Sequence, residues 1–153
     1  MNHFIELLEE KNFILNFSAS SKEEVIHKLV SHAISTNSIS SEHKDEIITA
    51  LLNREKTMST GIGSGVAIPH CSVNVVEKLE VVCAISKEGI LFDAIDHLPV
   101  HIFILLIVPK SKFQDHIKTL ALIAKTLNDK EIREKIINTS SFENLKKIFA
   151  EVN

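Results

Sequence analysis

Cysteine is scarce in this chain: Cys71 and Cys83 are the only two among 153 residues. So few thiols exclude a disulfide-rich scaffold and a thiolate-only zinc site, and they make a reducing compartment the expected setting. Long hydrophobic runs are missing too. The longest, residues 102–108, has seven residues, too short to cross a bilayer as a helix, so no direct membrane insertion is expected. The first ten residues hold no basic region followed by an apolar core, which leaves no visible secretion signal and points to the cytoplasm. Charge of one sign is also lacking. With 17 basic and 20 acidic side chains the net charge is −3, which gives no global attraction to nucleic acid or anionic membrane. Internal repeats, low-complexity tails and dividing linkers are absent, and an apolar content of 44% at this length suits a single packed domain over residues 1–153.

Glycine is equally rare, yet three of the four fall in the stretch Thr60-Gly61-Ile62-Gly63-Ser64-Gly65-Val66-Ala67-Ile68-Pro69-His70-Cys71-Ser72. Glycine alternating with small residues makes a backbone that turns sharply and exposes N–H groups. Val66-Ala67-Ile68 is long enough for a brief extended segment. Pro69 then holds Ile68 extended, so His70 is presented at a fixed place. A neutral imidazole near physiological pH keeps a free lone pair and is a good phosphoryl acceptor. Phosphoryl transfer spreads charge over three oxygens, so donors must stand nearby. The candidates are Ser59, Thr60 and Ser64 through their hydroxyls and Gly63 through its backbone. Arg54 offers a guanidinium fork for two phosphate oxygens. His116, in the first turns of a helix after Ser111, could face a neighbouring loop. On pattern alone these residues also read as a loop histidine, a solvated helix end and a surface histidine.

Other constellations carry less. His70, Cys71 and His116 do not match a metal-ligand template, and His97 with His101 share the i,i+4 spacing only across a loop and a strand start. Cys71 and His70 are adjacent in an extended segment and point to opposite faces, which disfavours a thiol nucleophile pair. Asp93 and Asp96 sit in a loop, where caps of local backbone explain them better than paired acid chemistry.

The coarse order is a strand over 13–17, a helix from Ser21 to about Ser35 started by a capping box of Ser21 and Glu24, and a second helix from Ser40 or Ser41 toward Asn53. Strands follow over 79–86 and 99–108, separated by a turn at Lys87-Glu88-Gly89 and a loop over 92–99. The second strand is apolar almost throughout, as a central strand covered on both faces would be. Ser111 is expected to cap a helix to about Leu127 with a stripe of Ile117, Leu120, Ala121, Ala124 and Leu127. A short helix from Asn128 or Asp129 and a last one capped by Ser140 with Glu143 complete the chain. Helices must cover both faces of such a sheet, so the expected class is α+β, a three-layer α/β/α sandwich with a mixed β-sheet.

Taken together, Leu52-Asn53-Arg54-Glu55, Ser59-Thr60-Gly61-Ile62-Gly63, Ala67-Ile68-Pro69-His70, Phe92-Asp93-Ala94-Ile95-Asp96, Pro99-Val100 and His116-Ile117-Lys118-Thr119-Leu120-Ala121 give the chain its family likeness. In this order it closely resembles, over nearly its full length, the fructose/mannitol/nitrogen-type EIIA domain of the bacterial phosphoenolpyruvate-dependent phosphotransferase system. The resemblance implies a transient phosphoryl group on His70 at Nε2, a second active-site histidine at His116, and charge stabilisation by Arg54. It implies a phosphorylated histidine carrier protein, HPr, or its nitrogen-branch equivalent as donor, and no metal or organic cofactor. In sugar-uptake relatives the next acceptor is a cysteine of a IIB protein or domain, which this chain would need from another polypeptide. In nitrogen-type relatives the phosphorylation state instead governs binding to a regulatory protein partner.

Overall fold

The computed structural model describes residues 2–152. The chain runs α1 (Asn2–Leu7), β1 (Phe13–Ile14), α2 (Lys22–Ser35), α3 (Lys44–Thr57), β2 (Gly61–Gly63), β3 (Val66–Ala67), β4 (His70–Val73), β5 (Glu80–Ile90), β6 (Val100–Pro109), α4 (Phe113–Thr126), α5 (Lys130–Ile137) and α6 (Phe142–Ala150). The six strands form one sheet in the order β1-β5-β6-β3-β2, with β4 added alongside β6. Pairing of β1 with β5, and of both β3 and β4 with β6, is parallel, whereas β5–β6 and β2–β3 are antiparallel. The sheet is therefore mixed.

Period-two alternation within the two long strands builds both cores. Val82 and Ala84 of β5 join Phe103, Leu105 and Ile107 of β6 against α2 and α3. Their neighbours Val81, Cys83 and Ile85 join Ile102, Ile104, Leu106 and Val108 against α1, α4, α5 and α6. Successive side chains of a strand point to opposite faces, so a strand buried on both must be apolar at every position. That is the reason for the uninterrupted Ile102–Val108 run, and it yields the three-layer α/β/α sandwich.

Several local expectations shift. The first strand covers only Phe13–Ile14 of the expected 13–17. Ser21 caps α2 by accepting the Glu24 N–H at 3.1 Å, but the Glu24 carboxylate accepts from the Ser20 hydroxyl at 2.7 Å, so the capping box is half made. A 3-10 turn at Ser41–His43 precedes α3, which runs on to Thr57 and so carries Arg54 in its last turn. No turn interrupts β5 at Lys87-Glu88-Gly89. Its register with β6 shifts there, Gly89 takes a φ of 85°, and the strand resumes to Ile90, because a bulge absorbs the extra residues without ending the pairing. Ser111 lies in a 3-10 turn and caps nothing, since α4 starts at Phe113. The buried face of α4 is Thr119, Ile123, Thr126 and Leu127, while Ile117 and Ala121 of the expected stripe are exposed. Asp129 caps α5 as expected, and Ser141 rather than Ser140 caps α6.

Candidate active site

Pro69 ends the short β3 segment and sets the chain into β4, whose partner is β6 alone. The Leu106 N–H donates to the Pro69 carbonyl at 2.9 Å, which fixes the register at the entry. Within β4 the alternation sends Cys71 and Val73 into the core beneath α2 and α3. His70 and Ser72 are half-buried on the opposite side. Because the strand is at the sheet edge here, a pocket of about 260 Å³ reaches around it, lined by Ala50 and Arg54 of α3, His70, Cys71 and Ser72 of β4, and Phe113 of α4. Larger grooves of about 430 and 550 Å³ elsewhere hold none of the expected site residues. Chemistry, not size, distinguishes the pocket at His70.

The His70 ring is held by its own backbone. Nδ1 lies 2.8 Å from the Ile68 carbonyl oxygen, and a carbonyl can only accept, so Nδ1 carries the proton and Nε2 the lone pair. Burial holds the imidazole below its ordinary value of 6.5; the Ile68 contact opposes this, and the Arg54 charge pushes the same way as burial. At a given pH near that value the ring is therefore neutral in a larger share of molecules than an ordinary histidine. Arg54 donates from Nη1 to the Met58 carbonyl at 2.6 Å, which closes the helix end and positions the guanidinium. Among the described residues it forms no ion pair, so its charge is available to an anion in the pocket.

The four residues expected to bind phosphate do not line this pocket. Two carboxylates take both donors of Thr60 and the backbone N–H of Ser64. Thr60 is buried, its N–H donating to Glu55 Oε1 at 3.0 Å and its hydroxyl to Glu55 Oε2. The Ser64 N–H donates to Asp96 Oδ2 at 2.8 Å, and a Cβ on Gly63 would stand 3.2 Å from that same oxygen. Ser59 Oγ accepts the Gly61 N–H at 3.1 Å. The glycine segment is a β2–β3 hairpin latched onto the Phe92-Asp93-Ala94-Ile95-Asp96 loop, and the Ile95 N–H donates to the Gly61 carbonyl at 2.8 Å.

His116 is not in the pocket either. It lines a separate cavity of about 260 Å³ with His3, Glu6, Leu79 and Lys112, and among the described residues its Nδ1 has no hydrogen-bond partner. With α4 beginning at Phe113, the phenyl ring takes the place facing β4, and His116 turns toward α1. Burial lowers its basicity as well, with Asp115 opposing. Burial pushes the Cys71 thiol up to about 12, so the thiolate is disfavoured.

Sequence reasoning misses three residues. Ser72 is signalled by period two from His70. Phe113 depends on where α4 starts, and Glu55 on a contact that no spacing rule announces. Glu55 is buried, its carboxylate 3.7 Å from Lys22 Nζ, and Lys22 stands over the Phe92 ring at 5.3 Å.

A family model described as "Phosphoenolpyruvate-dependent sugar phosphotransferase system, EIIA 2" matches residues 6–152. The "PTS system fructose-specific EIIA component" of Haloferax volcanii is 33% identical over 133 residues, 87% of this chain and 85% of that protein. The "Nitrogen regulatory protein" of Klebsiella oxytoca is 41% identical over 106 residues, 69% of this chain and 65% of that protein. Nitrogen regulatory protein IIA-Ntr from Neisseria meningitidis superposes with a TM-score of 0.86 at 29% identity, covering 95% of this chain and 98% of that one. The complex of enzyme IIA-Mtl with phosphorylated enzyme IIB-Mtl from Escherichia coli matches at 0.77 and 24% identity over 95% and 98% of the respective chains, which shows a shared fold.

Proposed function

This chain belongs to the EIIA 2 family of the phosphoenolpyruvate-dependent sugar phosphotransferase system, and we propose that it is a phosphoryl carrier in which His70 accepts the group on Nε2. The observation that carries this reading is the Nδ1–H bond to the Ile68 carbonyl, which leaves the Nε2 lone pair as the nucleophile in the pocket that the Arg54 guanidinium also lines. The donor is phosphorylated HPr or its nitrogen-branch equivalent. Its P–N bond breaks with the electron pair returning to the donor nitrogen, while a P–N bond forms to Nε2 and His70 keeps its Nδ1 proton. Arg54 offsets the charge on the equatorial oxygens, Ser72 offers a hydroxyl, and the docked partner excludes water. The acceptor that follows is a IIB protein, as the complex seen for the mannitol relative suggests by analogy. The whole of residues 1–153 acts as one carrier domain in the cytoplasm.

A second reading is regulatory: the phosphorylation state sets binding to a protein partner, and no phosphate passes to sugar. It is favoured by the 41% identity to the Klebsiella oxytoca nitrogen regulatory protein. Incubation with phosphoenolpyruvate, enzyme I and HPr, followed by phosphosite mapping and a chase with a panel of IIB proteins, tests both. Acid-labile phosphate on His70 that one IIB class removes supports the uptake role. Phosphate that no IIB protein removes supports regulation, and a protein that takes no phosphate contradicts both.

A further inference from the structure

Glu55 is a buried carboxylate that the phosphoryl chemistry does not call for, yet it ends a continuous hydrogen-bond path to the nucleophile. Its two oxygens accept the N–H and the hydroxyl of Thr60. The Thr60 carbonyl accepts the Ile68 N–H at 3.0 Å, and the Ile68 carbonyl accepts Nδ1–H of His70 at 2.8 Å. The path crosses from the last turn of α3 through the glycine hairpin to β4. Ile68 is buried, so no water replaces these partners if the peptide tilts. We propose that Glu55 is a positioning residue: through Thr60 and the backbone on either side of Ile68 it fixes the His70 ring in the Nδ1–H tautomer that leaves Nε2 free for phosphorus.

The physical reason is that Ile68 is held on both sides of its Cα, by its N–H in one peptide and by its carbonyl in the next. The Ile68 carbonyl can hold the imidazole only while the backbone of Ile68 is fixed; the peptide that precedes it is anchored by the Ile68 N–H on Thr60, and Pro69 restricts the Ile68 torsions that join that peptide to the carbonyl. Thr60 in turn is held at both polar groups by one carboxylate, which Lys22 balances at 3.7 Å. An outer partner of this kind orients a functional histidine and selects its tautomer. The same helical turn carries Arg54, so a single rigid element sets both the ring and the charge that meets the transferred group.

The inference deepens the proposed carrier role, and its main readout is independent of it. Long-range ¹⁵N–¹H spectra of the unphosphorylated full chain report the His70 tautomer without any donor protein. Glu55→Ala is expected to replace the single Nδ1–H form by a mixture and to slow phosphoryl acceptance on the order of tenfold, the scale on which outer partners of a histidine act. Glu55→Gln, which keeps a carbonyl acceptor for the Thr60 N–H, should restore most of both. Thr60→Val, which keeps the backbone N–H and loses the hydroxyl, should fall between them and stands in if Glu55→Ala does not fold. Asp96→Asn is the control, because it loosens the far end of the same hairpin without touching the path and should leave the tautomer unchanged. A wild-type Nδ1–H tautomer in both Glu55→Ala and Thr60→Val would overturn the proposal, as would an equal shift in Asp96→Asn. A tautomer shift confined to the Glu55 and Thr60 variants in a protein that never takes up phosphate would support the positioning role and overturn the carrier role.

Discussion

The nitrogen of His70 that carries the proton decides what the residue can do. With Nδ1–H committed to Ile68, the ring is a nucleophile at Nε2 whenever it is neutral, and burial with the Arg54 charge keeps it neutral below the ordinary histidine value of 6.5. The acid limb of phosphoryl acceptance should therefore be centred below 6.5, a profile that rapid-quench measurements would check. Stability follows the same titration. The unfolded chain binds this proton more readily than the native one, so the contribution of His70 is complete above 6.5 and declines as pH falls from there to the lowered native value. Denaturant titrations of the wild type and His70→Gln across that interval should converge toward acid. Arg54→Ala should slow acceptance about a hundredfold, with Arg54→Lys intermediate, since a lysine supplies charge without the fork. His116→Ala should cost far less than Arg54→Ala in the same assay, because its ring lines another cavity. Equal losses would show that α4 turns to bring His116 onto the phosphoryl group.

At the scale of elements, the latch between the glycine hairpin and the 92–99 loop determines where β4 begins. A Cβ on Gly61 would stand 2.8 Å from both Cα and Cβ of Ala94, and backbone cannot yield. Gly61→Ala should destabilise the fold by about 1–3 kcal/mol, read as a lower denaturant midpoint. This latch also shows how far the sequence is legible. The start of α2 and of α5 can be read because Ser21 and Asp129 satisfy end donors locally, within a few residues. His70 and Arg54 can be placed together from ordered motifs. The donors of Thr60 and Ser64 cannot, since Glu55 and Asp96 claim them and Asp96 is 32 residues from Ser64. The bulge at Gly89 reads as a turn for a related reason: glycine announces the positive φ but not whether pairing resumes. His116 shows the same limit, because α4 is preceded by Lys112 rather than Ser111 at its cap and it is Phe113, not His116, that lines the pocket.

For the molecule as a whole, two cores divided by one sheet carry the stability while the pocket sits at their margin. Phe149 is fully buried beneath the α1–α6 face and meets Phe4 edge to face at 5.6 Å between centroids. Phe149→Ala should cost about 3–5 kcal/mol and leave the His70 tautomer unchanged, because no residue of α6 lines the pocket. Around the pocket the exposed apolar residues Met58 and Ile117, at 61% and 41% exposure, supply a rim on which a partner can exclude water. Met58 adjoins Arg54 through its carbonyl, and Ile117 follows Phe113 by one helical turn. Nε2 of His70 is the nitrogen expected to bond phosphorus. Long-range ¹⁵N–¹H and ³¹P spectra of the protein phosphorylated through enzyme I and HPr test it most directly. The expected result is a phosphorus coupled to Nε2 of His70 with the proton still on Nδ1, and phosphorus on Nδ1, or on another histidine, would contradict it.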